Sequence, residues 1–190
     1  MQYRAVLFDL DNTLYPYPPC NEAGKQAAFE TFGELGYDVS QDTFRERYQE
    51  ARRGVKRELT GTASAHERFL YFKRLVNIHA DSHHSGDALA LGEAYWDAYI
   101  EEMSLFDGVE ETFEELQTAG IDVAIVSNLT TRIPLTKLPH FDLEEQIDYL
   151  LTSDQTRREK PSSVMFTLTL SPLDTRLIET LLLCASPDVD

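Results

Sequence analysis

Asp9 and Asp11 stand two residues apart just after a short apolar run, residues 3–8, and are followed by Asn12-Thr13-Leu14. Two carboxylates at that spacing on the end of a strand aim into one crevice if the pleat continues for one more step. One can then serve as a nucleophile and the other as an acid and base, provided their surroundings separate their proton affinities. Asp-x-Asp alone is also common on solvated loops, so the reading depends on what else reaches the same place. Ser127 directly follows a second apolar run, with Asn128 beside it, and brings a hydroxyl and backbone N–H groups. Lys160-Pro161 precedes a further element. Proline has no N–H to satisfy in a first helical turn, so Lys160 is expected just outside the positive end of a helix. Two acids, a hydroxyl and a lysine, each at the end of a different element, make a phosphate site with a nucleophile.

The elements that must hold these residues can be read from periodicity. Residues 3–8 form a strand that runs into a turn and then a proline-rich stretch, Tyr15-Pro16-Tyr17-Pro18-Pro19. From about residue 21 to 103 the period becomes helical. Phe44, Tyr48, Ala51, Val55 and Leu59 trace one buried face, and Leu89, Gly92, Trp96, Tyr99 and Met103 trace another. Ser40 and Ser85 mark helix starts and Gly36 and Gly61 mark stops, which predicts four helices and no strand in this stretch. After Gly108, a helix over 109–119 gives way to short β-branched runs at 121–126 and 147–151, a helix over 162–170 and a last apolar run at 181–183. Pro134 and Pro139 make the element between the second and third runs short or kinked. Alternation on this scale implies βαβ units and a parallel sheet. The expected architecture is an α/β, Rossmann-like core from residues 1–16 and 104–190, interrupted after its first strand by an all-helical cap over 17–103. Ligands of such sheets bind beyond the carboxyl ends of the strands, so an insert at that point is expected to act as a lid.

Composition bounds the function classes. At about 150 residues per domain, 190 residues make one domain or one domain with an insert. Hydrophobic residues at 42%, one Trp and two Cys disfavour disordered, collagen-like and disulfide-stapled classes. No apolar run approaches the roughly 18 to 20 residues of a membrane span, and no leader or anchor is expected. Cys20 and Cys184, without a CxxC or ligand cluster, point to free thiols in a reducing cytoplasm. The net charge is −16, with only five lysines, Lys25, Lys56, Lys73, Lys137 and Lys160. Such a surface repels phosphate backbones, which makes nucleic acid a poor partner. It is also the coat expected of a protein from a salt-saturated cytoplasm, although an ordinary acidic enzyme would carry it too.

Phe8-Asp9-Leu10-Asp11-Asn12-Thr13-Leu14, Val126-Ser127-Asn128 and Glu159-Lys160-Pro161, in that order with a helical insert after the first motif, resemble the haloacid dehalogenase-like hydrolase superfamily. The resemblance implies that Asp9 is a nucleophile forming an aspartyl-phosphate, while Asp11 protonates the leaving oxygen and then activates water. It implies that Ser127 and Lys160 bind the phosphoryl group. Asn128 is a further phosphate-side candidate that reads equally well as a turn residue. Magnesium is implied between Asp9 and the Asp11 carbonyl. True dehalogenases of the family lack an acid at the position of Asp11, because a halide leaves without a proton, so the phosphatase branch is implied. The substrate class is a small phosphorylated metabolite such as a sugar phosphate, triose phosphate, phosphoglycolate or nucleotide; the oligomeric state is left open.

The fourth motif of that family, an apolar strand followed by Gly-Asp and a later second Asp, aligns with residues 181–190. Asp190 takes the second acid's place as a metal ligand, but Cys184-Ala185 replaces Gly-Asp. The core is also expected to lack its last strand, which leaves residues 181–183 as an apolar edge. Three readings follow: an active phosphatase using Asp9, the Asp11 carbonyl, Asp190 and waters; a catalytically impaired truncated family member; and a phosphate-binding or interaction protein without turnover. A phospho-receiver domain is a different class with similar residues, but its acceptor Asp lies on a later strand. His79, Asp81, His83 and His84 read as an interhelical loop rather than a metal site. Arg52, Arg53, Lys56 and Arg57 read as a solvated helix face, and Tyr95, Trp96 and Tyr99 as packing of the insert, with one aromatic lining the substrate pocket as the alternative.

Overall fold

The computed structural model describes residues 3–80 and 83–185. They divide into two compact units, one drawn from residues 3–17, 61–63 and 104–185, the other from residues 18–60, 64–80 and 83–103.

The first unit is built on a parallel sheet of β1 (Ala5–Phe8), β2 (Asp122–Ser127), β3 (Tyr149–Thr152) and β4 (Thr180–Leu183), in the order β3-β2-β1-β4. The register aligns Phe8 with Ile125 and with Leu183, and Ser127 with Thr152. β1 is buried at all four residues and β2 at five of six, which is why both read as continuous apolar runs rather than alternating ones. Ala5, Leu7, Ala124, Val126, Leu151, Met165 and Leu170 form one core cluster. The ring of Phe113 closes to 4.9 Å from that of Phe8. At the edge among the described residues, β4 leaves Leu181, Leu182 and Leu183 each more than a third exposed.

The helices of the second unit are α1 (Tyr17–Glu34), which Tyr17 joins to the first unit, α2 (Gln41–Glu58), α3 (Arg68–His79) and α4 (Ser85–Glu101), with a 3-10 turn at Ala63–His66. Ser40 caps α2, its hydroxyl accepting the Thr43 N–H at 3.2 Å. Gly36 and Gly61 follow α1 and α2 at φ 92° and 82°, a region that side-chain-bearing residues avoid. Phe44, Tyr48, Ala51 and Val55 are buried as their spacing predicts. Of the expected buried face of α4, Gly92, Trp96, Tyr99 and the following Met103 are inside, joined by Ala88, Leu91 and Tyr95, and only Leu89 departs from it at 49% exposed. The aromatic side chains set that face, and a lone Leu on the opposite side gives way to them.

The first unit continues with α5 (Val109–Thr118), α6 (Arg132–His140), α7 (Ser153–Thr156) and α8 (Ser163–Leu170), and with 3-10 turns at Glu144–Gln146 and Leu177–Glu179. α5 packs on β2, and α8 on β2 and β3. Pro134 and Pro139 both fall in the nine residues of α6. The Lys160-Pro161 peptide is cis, and α8 begins only at Ser163 with Ser162 as its cap residue. Pro161 therefore stands ahead of the helix instead of in its first turn, and something other than a helix end must fix Lys160.

Candidate active site

β1 stops at Phe8, so the two acids are not set by a continued pleat. The carbonyl of Leu10 accepts the N–H groups of Thr13 and Leu14, at 3.1 and 3.0 Å, and Asn12 takes φ 61°. Asn is among the few residues that tolerate this left-handed conformation, and its Oδ1 accepts the Tyr17 N–H at 2.9 Å. Asp11 and Tyr15 form an isolated parallel bridge across this turn. The tight turn separates the acids: each meets a different lysine.

Asp9 Oδ1 lies 2.6 Å from Lys160 Nζ, with both side chains largely buried. The Lys160 main chain is held by Asn128, whose Oδ1 accepts the Lys160 N–H at 2.7 Å. Asn128 is in turn tied to β3's end, where Ser153 Oγ donates to its carbonyl at 2.8 Å. Asn128 Nδ2 is buried without a hydrogen-bond partner in the protein. A buried donor left unmade is costly, and a ligand oxygen would satisfy it. Ser127, the last residue of β2 and 2% exposed, accepts the Leu129 N–H on its Oγ at 3.2 Å. Burial is the largest influence on the Asp9 carboxyl and pushes it above the usual carboxylate range. The Lys160 charge and hydrogen bond and the Leu10 N–H pull it back, and the Asp11 charge adds to the rise.

Two residues that sequence reading missed complete the site. Lys137 on α6 is fully buried, with Nζ 2.7 Å from Asp11 Oδ1 and 2.5 Å from the Tyr15 hydroxyl. Tyr15 is also fully buried and donates its own hydroxyl proton to Asp11 Oδ1. Its ring packs 5.5 Å from that of Phe141, and Lys137 Nζ sits 5.2 Å from the Tyr15 ring centre. The signal was available in outline: Ile133, Pro134, Lys137 and Leu138 are the buried residues of α6, and a lysine at that spacing shares the apolar face.

The hard oxygens of the Asp9 carboxylate and the Asp11 main chain suit magnesium, which takes one or two carboxylates together with substrate oxygens and water. Among the described residues no three His, Cys, Asp or Glu side chains converge as in a protein-built metal cage. Asp190 lies outside the described residues. Ala185 brings only a methyl group, and its N–H donates to Thr13 Oγ at 3.1 Å. Away from the site, His79 is a packing residue: Nδ1 is 3.0 Å from the Leu75 carbonyl, and its ring meets Phe32 edge-on at 5.2 Å. Asp81 lies outside the described residues. Cys20 is buried, Cys184 is exposed, and both are free.

A parallel sheet with paired acids, a serine and a lysine at its carboxyl end defines a class of hydrolase, and residues 6–183 match the haloacid dehalogenase-like hydrolase family. The chain belongs to that family. It is 60% identical over 175 residues to ribulose-1,5-bisphosphate 5-phosphatase of Halopiger xanaduensis, spanning 92% of this chain and 73% of that protein. The fold is also shared with the 2-haloacid dehalogenase of Pseudomonas syringae pv. Tomato DC3000, at TM-score 0.74 and 20% identity over 95% of this chain and 77% of that one. A Bacillus subtilis protein described as a HAD-hydrolase, crystallised with magnesium, superposes at TM-score 0.65 and 20% identity over 96% of this chain and 79% of that one. No helix among the described residues is long and apolar enough to cross a membrane.

Proposed function

We propose that this chain is a phosphatase acting on a small phosphorylated metabolite through an aspartyl-phosphate. The observation that carries the reading is the buried Asp9–Lys160 pair at 2.6 Å, on a lysine whose main chain is anchored by Asn128. An Asp9 oxygen attacks phosphorus, the phosphorus–oxygen bond to the leaving group breaks, and Asp11 hands its proton to the departing alkoxide. Asp11 then takes a proton from water, the water oxygen bonds to phosphorus, and the Asp9–phosphorus bond breaks to release inorganic phosphate. Lys160, Ser127 and the Asn128 amide hold the phosphoryl oxygens, where fixed positive charge and donors offset the repulsion between two anions. Asp9 and the Asp11 carbonyl would hold magnesium, which supplies further neutralisation of phosphoryl charge.

The 60% identity to an enzyme named for ribulose 1,5-bisphosphate supports a sugar bisphosphate as substrate, and that compound is the first to assay. Phosphate release from it, alongside a panel of sugar monophosphates, phosphoglycolate and nucleotides, is to be measured with and without magnesium and at low and molar KCl. Asp9→Asn is expected to abolish release with the fold intact; release at the unmutated rate would end the proposed mechanism. A second reading, phosphate binding without turnover, is favoured by the methyl group of Ala185 at the place where the family resemblance puts a carboxylate. Phosphate binding without release from any panel member would establish it.

A further inference from the structure

Lys137 is 0% exposed, the most complete burial of any lysine at the site, and it lies 126 residues along the chain from the acid it meets. Burying an ammonium group costs several kcal/mol unless it is well partnered, and apolar residues of similar volume would stabilise the same space at least as well. The fold nevertheless directs this lysine to the oxygen of Asp11 that also receives the Tyr15 hydroxyl. Tyr15 is placed for this by the bridge to Asp11 and by packing on Phe141, and α6 brings in Lys137 beside Leu138 on its buried face.

We propose that Lys137, acting with Tyr15, is a positioning residue for the Asp11 carboxylate. Two converging donors fix Asp11 Oδ1, and the rotation of the carboxyl group with it. They also keep the two acids on separate cations, Asp11 on Lys137 and Asp9 on Lys160, although only Leu10 lies between them in sequence. Without Lys137, the Asp11 carboxylate is released to compete for Lys160, the cation that the phosphoryl group needs. The inference rests on the proposed function, because Asp11 matters only if it transfers protons there.

The test is steady-state kinetics on the full chain with ribulose 1,5-bisphosphate, or with the best substrate of the panel. Lys137→Met keeps the volume and removes the charge. It is expected to lower kcat about 100-fold, the scale of a roughly 1 Å misplacement of a reacting group, with KM changed less than about threefold. Lys137→Arg, which retains the charge, should recover part of that loss. Tyr15→Phe, which deletes one hydroxyl, should lower kcat in the same direction by about tenfold. Because Lys137 acts through Asp11, adding Lys137→Met to Asp11→Asn should cost almost nothing further. Full additivity in the double variant would overturn the inference, as would an unmutated kcat in Lys137→Met. Should Lys137→Met fail to fold, Tyr15→Phe and its double variant with Asp11→Asn carry the same comparison. Asp9→Asn separates the two levels: if it leaves turnover intact the proposed function falls, whereas an inactive Asp9→Asn beside an unaffected Lys137→Met sinks only the positioning role.

Discussion

The backbone N–H of Asp9 donates to the carbonyl oxygen of Leu183 at 3.0 Å. The main chain of the candidate nucleophile is therefore tied to the end of β4, and Ala185, two residues on, is itself pinned to Thr13 of the first motif. Residues on β4's carboxyl side thus report directly on the geometry around Asp9.

Ala185→Asp, combined with Cys184→Gly, is expected to raise magnesium affinity. Ala185 lines a cavity of about 390 Å³ with Asn12 and Thr13, so a carboxylate has room there. A direct charged ligand should exceed the roughly 10- to 100-fold effects of groups that only support one. The checks are a magnesium-dependent rise in melting temperature and the magnesium concentration for half-maximal phosphate release. Unchanged values for both, in folded protein, would mean that the site does not need this acid.

Stability is expected to rise with salt. At −16 the chain repels itself, and salt shortens the reach of that repulsion from about 30 Å at 0.01 M to about 3 Å at 1 M. Melting temperature measured from low to molar KCl should climb steadily. A flat or falling curve would remove the link between the acidic coat and a salt-rich setting.

In the helical unit, the Tyr37 hydroxyl donates to Asp87 Oδ2 at 2.6 Å. Burial first, then the Asp87 bond and charge, push the phenol from 10.0 up to about 12. A raised folded-state value favours the neutral phenol, so its contribution to stability is complete below pH 10 and is lost as pH rises through 12. Tyr37→Phe should melt below the unmutated protein at pH 8 and converge with it by pH 12. Parallel curves across that range would show that the bond carries no such linkage.

Gly24 in α1 admits no side chain, because a Cβ there would lie 2.7 Å from the Tyr95 carbonyl oxygen and from its ring. The backbone contact cannot rotate away. Gly24→Ala is expected to destabilise by about 1–3 kcal/mol despite alanine's better helix propensity, as overpacked cores do. Chemical denaturation measures this, and a stabilised variant would mean that α1 shifts freely.

How far the sequence could be read depended on whether a feature was local. The runs around Leu7 and Ile125 were legible because strands buried on both faces are continuously apolar, and Ser40 because capping needs only the next three residues. Lys160 was found, but for a reason the structure replaces: its main chain is held by the side chain of Asn128, 32 residues earlier, and not by the first turn of α8. Asp9 and Asp11 were legible as neighbouring acids from their spacing, but that each meets a separate lysine depends on the turn around Asn12 and on α6. Lys137 shares the apolar face of Ile133, Pro134 and Leu138, but its meeting with Asp11, 126 residues away, is set by the tertiary fold.

Of the five lysines, two lie buried at the acids, and Lys25, Lys56 and Lys73 all fall on α1, α2 and α3. Lys73 is exposed and Lys25 and Lys56 half-buried, so the side-chain amines most accessible to acylating dyes, crosslinkers and resin couplings lie on the helical unit. A fluorophore or a solid support attached through a lysine side chain is therefore expected to sit on that unit. The molecule thus offers a ready handle for following its two units separately, without an engineered tag.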